Sequence, residues 1–244
     1  MSATAPLGST YTHHTKYVVS VSISQDTYTL VTASYDKYVH IYTQNDMGVY
    51  EKKHSVLFET TPECVAVYVP SHTHAPSSLD HTPSSHTHAP VLIVGVRDVP
   101  YLVYVNTHTL ERTTISHNKH SWDTHVSITP LSLALSPCQK YLCVCTDKHI
   151  HIVYKLHTNV RVCVLGGHTS GDYSKPVCVW HHTSKYIYSN SEGESSVYVY
   201  DICSQRVCMK LHGHSNVVRG LAAHPYKASM ASASYDKSVI VWGE

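Results

Sequence analysis

Ala33-Ser34-Tyr35-Asp36-Lys37 and Ala233-Ser234-Tyr235-Asp236-Lys237 are the same five residues set 200 positions apart, and the likeness spreads outward from both. The segment from His14 to Tyr42 aligns without a gap on the segment from His214 to Trp242. Each copy places a histidine 22 residues before the aspartate and an aromatic six residues after it. Fixed spacing of this kind at a long period is the signature of a structural repeat.

Three weaker copies lie between the two strong ones. Arg97-Asp98 leads to Tyr104, Asp147-Lys148 to Tyr154, and Ser191-Glu192-Gly193-Glu194 to Tyr200. Gly167-His168 and Gly213-His214 open two copies, and Leu133-Ala-Leu-Ser-Pro137 matches Leu221-Ala-Ala-His-Pro225. Within each copy, short runs alternate with period two between turn residues, so the unit is a small antiparallel sheet. Val197-Tyr-Val-Tyr200 and Val239-Ile-Val-Trp242 read as strands buried on both faces. Asp-Lys and Glu-Ser sit where a tight turn needs a polar residue that bonds its own backbone. One such sheet cannot bury two apolar faces alone, so its neighbours must stack on it.

The glycine-histidine opening, the aspartate at a strand turn and the closing tryptophan, in a unit of roughly 40 residues, resemble the WD-repeat β-propeller. The resemblance covers residues 7–242 and implies an all-β fold of about five four-stranded blades. The copies are approximately 14–46, 50–109, 110–158, 159–205 and 206–244, in one domain spanning 1–244. It also implies a hydrogen-bonded network inside a blade. That network is His14, Thr32 and Asp36 in the first copy, with Tyr42 in the tryptophan place, and His214, Ser232, Asp236 and Trp242 in the last. His168 opens the fourth copy in the same position. A Ser/His/Asp set also invites a catalytic-triad reading, but residues that recur in register with a repeat are scaffold, whereas a triad is a single constellation. Leu7-Gly-Ser-Thr-Tyr-Thr12 matches the outer-strand segments ahead of other copies. The resemblance therefore implies that 7–12 pair beside 238–242, complete the last blade and close the ring. An arc completed by another chain is the alternative.

Composition narrows the function. The chain has 244 residues, a formal net charge of +1 and 14% charged residues. That length is ample for a large buried core, and that balance argues against broad binding to nucleic acid or an anionic membrane. No apolar run approaches the ~20 residues of a spanning helix. Met1 to Tyr11 lacks the charged and apolar regions of a secretory signal. Eight cysteines without a CxxC pair, scattered through runs such as Leu142-Cys143-Val144-Cys145, are expected to be free buried thiols in a reducing compartment. An intracellular protein of cytoplasm or nucleus is the expectation.

The chain holds 22 histidines, and 19 tyrosines against one phenylalanine. Their spread over strands, turns and low-complexity sequence points to a bias in the coding sequence rather than to metal ligation. Residues 71–90, with Ser-His-Thr-His-Ala-Pro twice and three prolines, read as a surface loop inserted in the second copy, between strands at 63–69 and 91–95. His149-Ile-His151 reads as an ordinary polar strand face. No phosphate loop, HExxH or GxSxG occurs, so no enzyme, cofactor or metal is expected.

What remains is partner binding. By the resemblance, one rim is built from the residue before each turn aspartate and from residues opening the inner strands: Tyr35, Arg97 and Tyr235, with Tyr17 and Arg219. Tyrosine and arginine dominate interface energetics because they bury large area and keep a polar tip. The expectation is a non-enzymatic interaction scaffold, a subunit of a larger intracellular complex, with protein partners. The alternatives are a substrate receptor of a cullin-type ubiquitin ligase and a propeller hydrolase with an axial metal. Tyr200-Asp201-Ile202-Cys203 lacks the tryptophan and arginine that such receptors carry in that place.

Overall fold

The computed structural model describes residues 8–70, 89–118, 125–126, 128–156, 158–169 and 175–243. These hold strands and no helix. The first sheet is β1 (Val18–Ile23), β2 (Thr29–Ser34), β3 (Tyr38–Gln44) and β4 (Tyr50–Leu57), side by side in chain order. The second repeats that order with β5 (Pro62–Tyr68), β6 (Val91–Val96), β7 (Tyr101–Asn106) and β8 (Arg112–Ser116). The third is β9 (Pro130–Leu135), β10 (Tyr141–Thr146), β11 (Ile150–Lys155) and β12 (Val160–Gly166). The fourth is β13 (Cys178–Trp180), β14 (Tyr186–Ser191), β15 (Ser196–Asp201) and β16 (Arg206–Leu211). The fifth has three strands, β17 (Val218–Ala223), β18 (Met230–Ser234) and β19 (Val239–Trp242). All pairings are antiparallel meanders.

The burial of each strand follows its place in the stack. Middle strands such as β6 and β10 are buried on both faces, which their unbroken apolar runs require. Outer strands bury alternate residues: in β12, Cys163 and Leu165 turn inward while Val162 and Val164 face solvent. Gly95 in β6 is dictated by close approach, since a Cβ there would lie 2.5 Å from Cys64 Sγ and 2.9 Å from Pro130 Cβ.

Each sheet packs on the next through its inner strands: β1 and β2 on β5, β5 and β6 on β9, β9 on β13, and β13 and β14 on β17. The apolar core is correspondingly divided. Val31, Ile41, Val67 and Leu92 fill the first interface; Ile93, Leu102, Leu142 and Val144 the second. Cys143, Cys178, Ile187 and Tyr198 fill the third, and a smaller group around Val197, Val218 and Met230 the fourth. A closed ring of five sheets has five interfaces. Among the described residues no comparable packing joins the fifth sheet to the first.

The expected closure by the N-terminal strand is therefore corrected. Residues 8–14 form no strand and join no sheet. The one large side chain of the segment 8–12, Tyr11, packs edge-on against Tyr42 at 5.4 Å, and its hydroxyl accepts the Tyr50 N–H at 3.2 Å. Both partners belong to the first sheet, so the segment is held away from β19. As a result β19 is not buried on both faces as its sequence implies: Val239 and Val241 are 68% and 74% exposed. At the other end Val18, Val21 and Ile23 of β1 are more than half exposed. Among the described residues the five sheets form an open arc around a cavity of about 650 Å³, lined by the inner strands from Val21 to Ala223.

Other readings meet the structure more simply. The insert lies outside the described residues except for Ala89 and Pro90. His149 is not in a strand and is exposed, while His151 on β11 is fully buried, so the pair does not share a polar strand face. All eight cysteines are free, but Cys138, Cys203 and Cys208 are exposed.

Candidate partner-binding rim

One backbone hydrogen bond recurs in every sheet. The turn after the second strand donates an N–H to the residue just ahead of the inner strand, except in the fourth sheet, where the acceptor is Thr169, well ahead of β13. The pairs are Tyr35 to Tyr17 O, Arg97 to Thr61 O, Asp147 to Thr129 O, Glu192 to Thr169 O and Tyr235 to Val217 O, at 2.9–3.1 Å. The repetition brings five turns onto one edge of the arc. In four sheets the inner strand also carries a bulge there, skipping Val19, Glu63, Leu131 and Arg219 from the pairing register. A bulge leaves its extra residue unpaired and re-aims its side chain.

Tyr17, Tyr35, Arg97, Arg219 and Tyr235 sit at these turns and bulges. Tyr17 and Tyr235 are 82% and 62% exposed, and Tyr35 is partly so. The Arg219 guanidinium lies over the Tyr235 ring, 5.2 Å from its centroid, with Glu192 at 3.9 Å. Arg97 donates from Nε to Glu63 Oε1 at 2.6 Å, and this bond holds its guanidinium even more firmly charged. Glu63 itself is buried, a carboxylate that must be paired to be tolerated there. Lys175 Nζ, ahead of β13, donates to Val19 O and Glu63 O at 3.4 and 3.3 Å and so ties the fourth sheet to two bulges across the mouth of the cavity. Glu63 and Lys175 are rim residues that sequence reasoning missed. A bulge leaves no mark in a pattern of period two.

Behind the rim the histidines hold the turns. His14 Nδ1 meets Asp36 Oδ2 at 2.9 Å and its Nε2 meets Thr32 Oγ1 at 2.8 Å. His214 Nδ1 meets Asp236 Oδ2 and its Nε2 meets Ser232 Oγ, both at 2.8 Å; Trp242 Nε1 donates to the same Ser232 Oγ at 2.8 Å. Gly213 leaves room for this, since a Cβ would meet Ile240 and the Trp242 ring at 3.0 Å. Burial acts to raise Asp36, but hydrogen bonds from the Thr15 and Tyr38 amides and from His14 outweigh it and hold the carboxyl down at about 2.

The fourth copy is built differently. His168 bonds Tyr200 Oη at 2.9 Å, while Glu194 turns outward to Lys210 at 2.9 Å. The third sheet repeats this with His117 Nδ1 and Tyr154 Oη at 3.0 Å, a histidine missed because no glycine precedes it. His13 and Tyr42 make the same pair at 3.2 Å. A buried tyrosine hydroxyl needs a partner, so three histidine–tyrosine pairs give the enrichment a local physical reason. Burial pushes His117 and His168 down to about 4, which keeps both rings neutral. For a metal, the described residues offer one group of three buried thiols, Cys143, Cys145 and Cys178.

Two comparisons bear on this arrangement. The family model "WD domain, G-beta repeat" matches residues 6–43 and 205–243, the two strong copies. A Dictyostelium discoideum protein described as a WD repeat domain-containing protein 83 homolog is 25% identical over 104 residues, 43% of this chain. The match spans 31% of that protein's length, so the chain covers about a third of this curated relative.

Proposed function

This chain belongs to the WD-repeat family, and from that premise we propose that it is a non-enzymatic scaffold subunit of a larger intracellular complex, holding protein partners on its bulged rim. WD-repeat proteins generally act as protein-interaction scaffolds and are typically non-enzymatic. Among the described residues no helix is long and apolar enough to cross a membrane. The observation that carries the reading is the rim itself: Tyr17, Tyr35, Arg97, Arg219 and Tyr235 on one edge, with both arginines oriented by neighbours. Side chains already fixed in place lose little freedom on binding, which is what an interface anchor requires.

The test is the double substitution Tyr35→Ala with Tyr235→Ala, compared with the parent chain in quantitative co-purification. The double variant keeps the parent melting temperature and weakens a specific set of co-purifying proteins by about 30-fold or more, the loss expected when hot spots of ~2 kcal/mol are truncated. An unchanged set at unchanged stoichiometry, from a folded variant, refutes the rim as the binding surface.

A further inference from the structure

The interface between the third and fourth sheets holds chemistry that the rim does not use. Cys143 and Cys145 lie two apart on β10 and so share one face, and Cys178 reaches them from β13 on the facing sheet. Their three sulfurs all lie within 4.8 Å of one another, all three residues are buried, and none forms a disulfide. Around them pack Leu165, Ile187, Tyr198 and Tyr200. His151 stands directly across the ladder from Cys145, hence on the same face, and its buried Nδ1 has no partner. His168 stacks on it at 4.0 Å with a second unpartnered nitrogen, Nε2. Buried polar atoms are rarely left orphaned. Two of them beside three thiols form a polar island in an apolar interface.

We infer that Cys143, Cys145 and Cys178 form a binding site for a soft monovalent metal ion, copper(I), clamped between the third and fourth sheets. Three sulfurs at about 2.3 Å from one ion stand about 4.0 Å apart in a plane, a spacing compatible with sulfurs that all lie within 4.8 Å of one another. Soft thiolates select copper(I) or zinc. Zinc takes four ligands, with a water in the fourth position when the protein supplies three. The described residues place three sulfurs and no fourth ligand atom within 4.8 Å of one another. Binding is an exchange without electron transfer: each S–H bond that breaks gives a sulfur–copper bond, and its proton leaves to solvent. The site bridges two sheets, so the ion enters as they fold together and thereafter staples them.

The experiment refolds the full chain anaerobically, under reductant, with copper(I) held on a competing chelator, and in parallel with zinc. Metal per chain is then counted after desalting. The expected result is about one copper per chain in the parent and in Cys64→Ser, under about 0.1 in Cys178→Ser, and a higher melting temperature only where copper is held. Copper absent from the parent, copper retained equally by Cys178→Ser, or zinc held in place of copper each overturns the proposal. Should Cys178→Ser fail to fold, X-ray absorption at the copper edge of the loaded parent decides. A shell of three sulfurs supports the site, and a nitrogen or oxygen shell from histidines elsewhere overturns it.

Discussion

Replacing Asp36 by alanine removes three hydrogen bonds at once. Its Oδ2 accepts from His14 Nδ1 and from the Thr15 N–H, each at 2.9 Å, and its Oδ1 accepts the Tyr38 N–H at 3.0 Å. The two amides lie in exposed turns and recover bonds to water, so each costs only the net value of a hydrogen bond, about 1 kcal/mol. The His14 side chain is 7% exposed and its partner was charged, so its orphaned Nδ1 adds a further ~1–3 kcal/mol. The expected loss is therefore about 3–5 kcal/mol. Glu194→Ala, at the corresponding turn of the fourth sheet, removes only an exposed pair with Lys210 and should leave stability unresolved from the parent. Urea unfolding followed by tryptophan fluorescence and circular dichroism measures both. Equal shifts for the two variants, or a loss under about 1 kcal/mol for Asp36→Ala, would refute the account of the turn network.

Acid should unfold the chain in two steps of known sign. His117 and His168 are pushed from 6.5 down to about 4, so the stability they secure as neutral rings is complete above 6.5 and drains as pH falls towards 4, by up to ~1.4 kcal/mol per pH unit for each ring. Asp36 is held at about 2 against an ordinary 3.8, so its contribution is lost later, between 3.8 and 2. Urea midpoints measured from pH 7 to pH 3 should fall first through the histidine window, and a flat profile down to pH 4 would contradict the buried, neutral rings. β19, paired only with β18 among the described residues and with Val239 and Val241 exposed, should draw chains together. Val239→Lys with Val241→Lys should convert a concentration-dependent sedimentation profile into a monomer. A parent that is monomeric at all concentrations would show the edge to be protected by other means.

The repeat, the antiparallel sheets and the turn network were legible in the residues because each is local. Alternation of period two sets which strand faces are buried, and an aspartate 22 residues after a histidine returns along a hairpin to meet it. The rim tyrosines and arginines were legible for the same reason, as turn positions of a repeating hairpin. Tertiary structure alone decided what depends on competition between distant edges. The place of residues 8–12 turns on Tyr11, whose ring packs on Tyr42 and whose hydroxyl accepts the Tyr50 N–H, both in the first sheet. The bulges at Glu63 and Arg219 are likewise settled by how adjacent sheets meet. The thiol cluster is the sharpest case. Cys143 and Cys145 share a face by strand geometry alone, but only the packing of the fourth sheet on the third brings Cys178 to them, because a sheet specifies its own faces and not the partner that covers them.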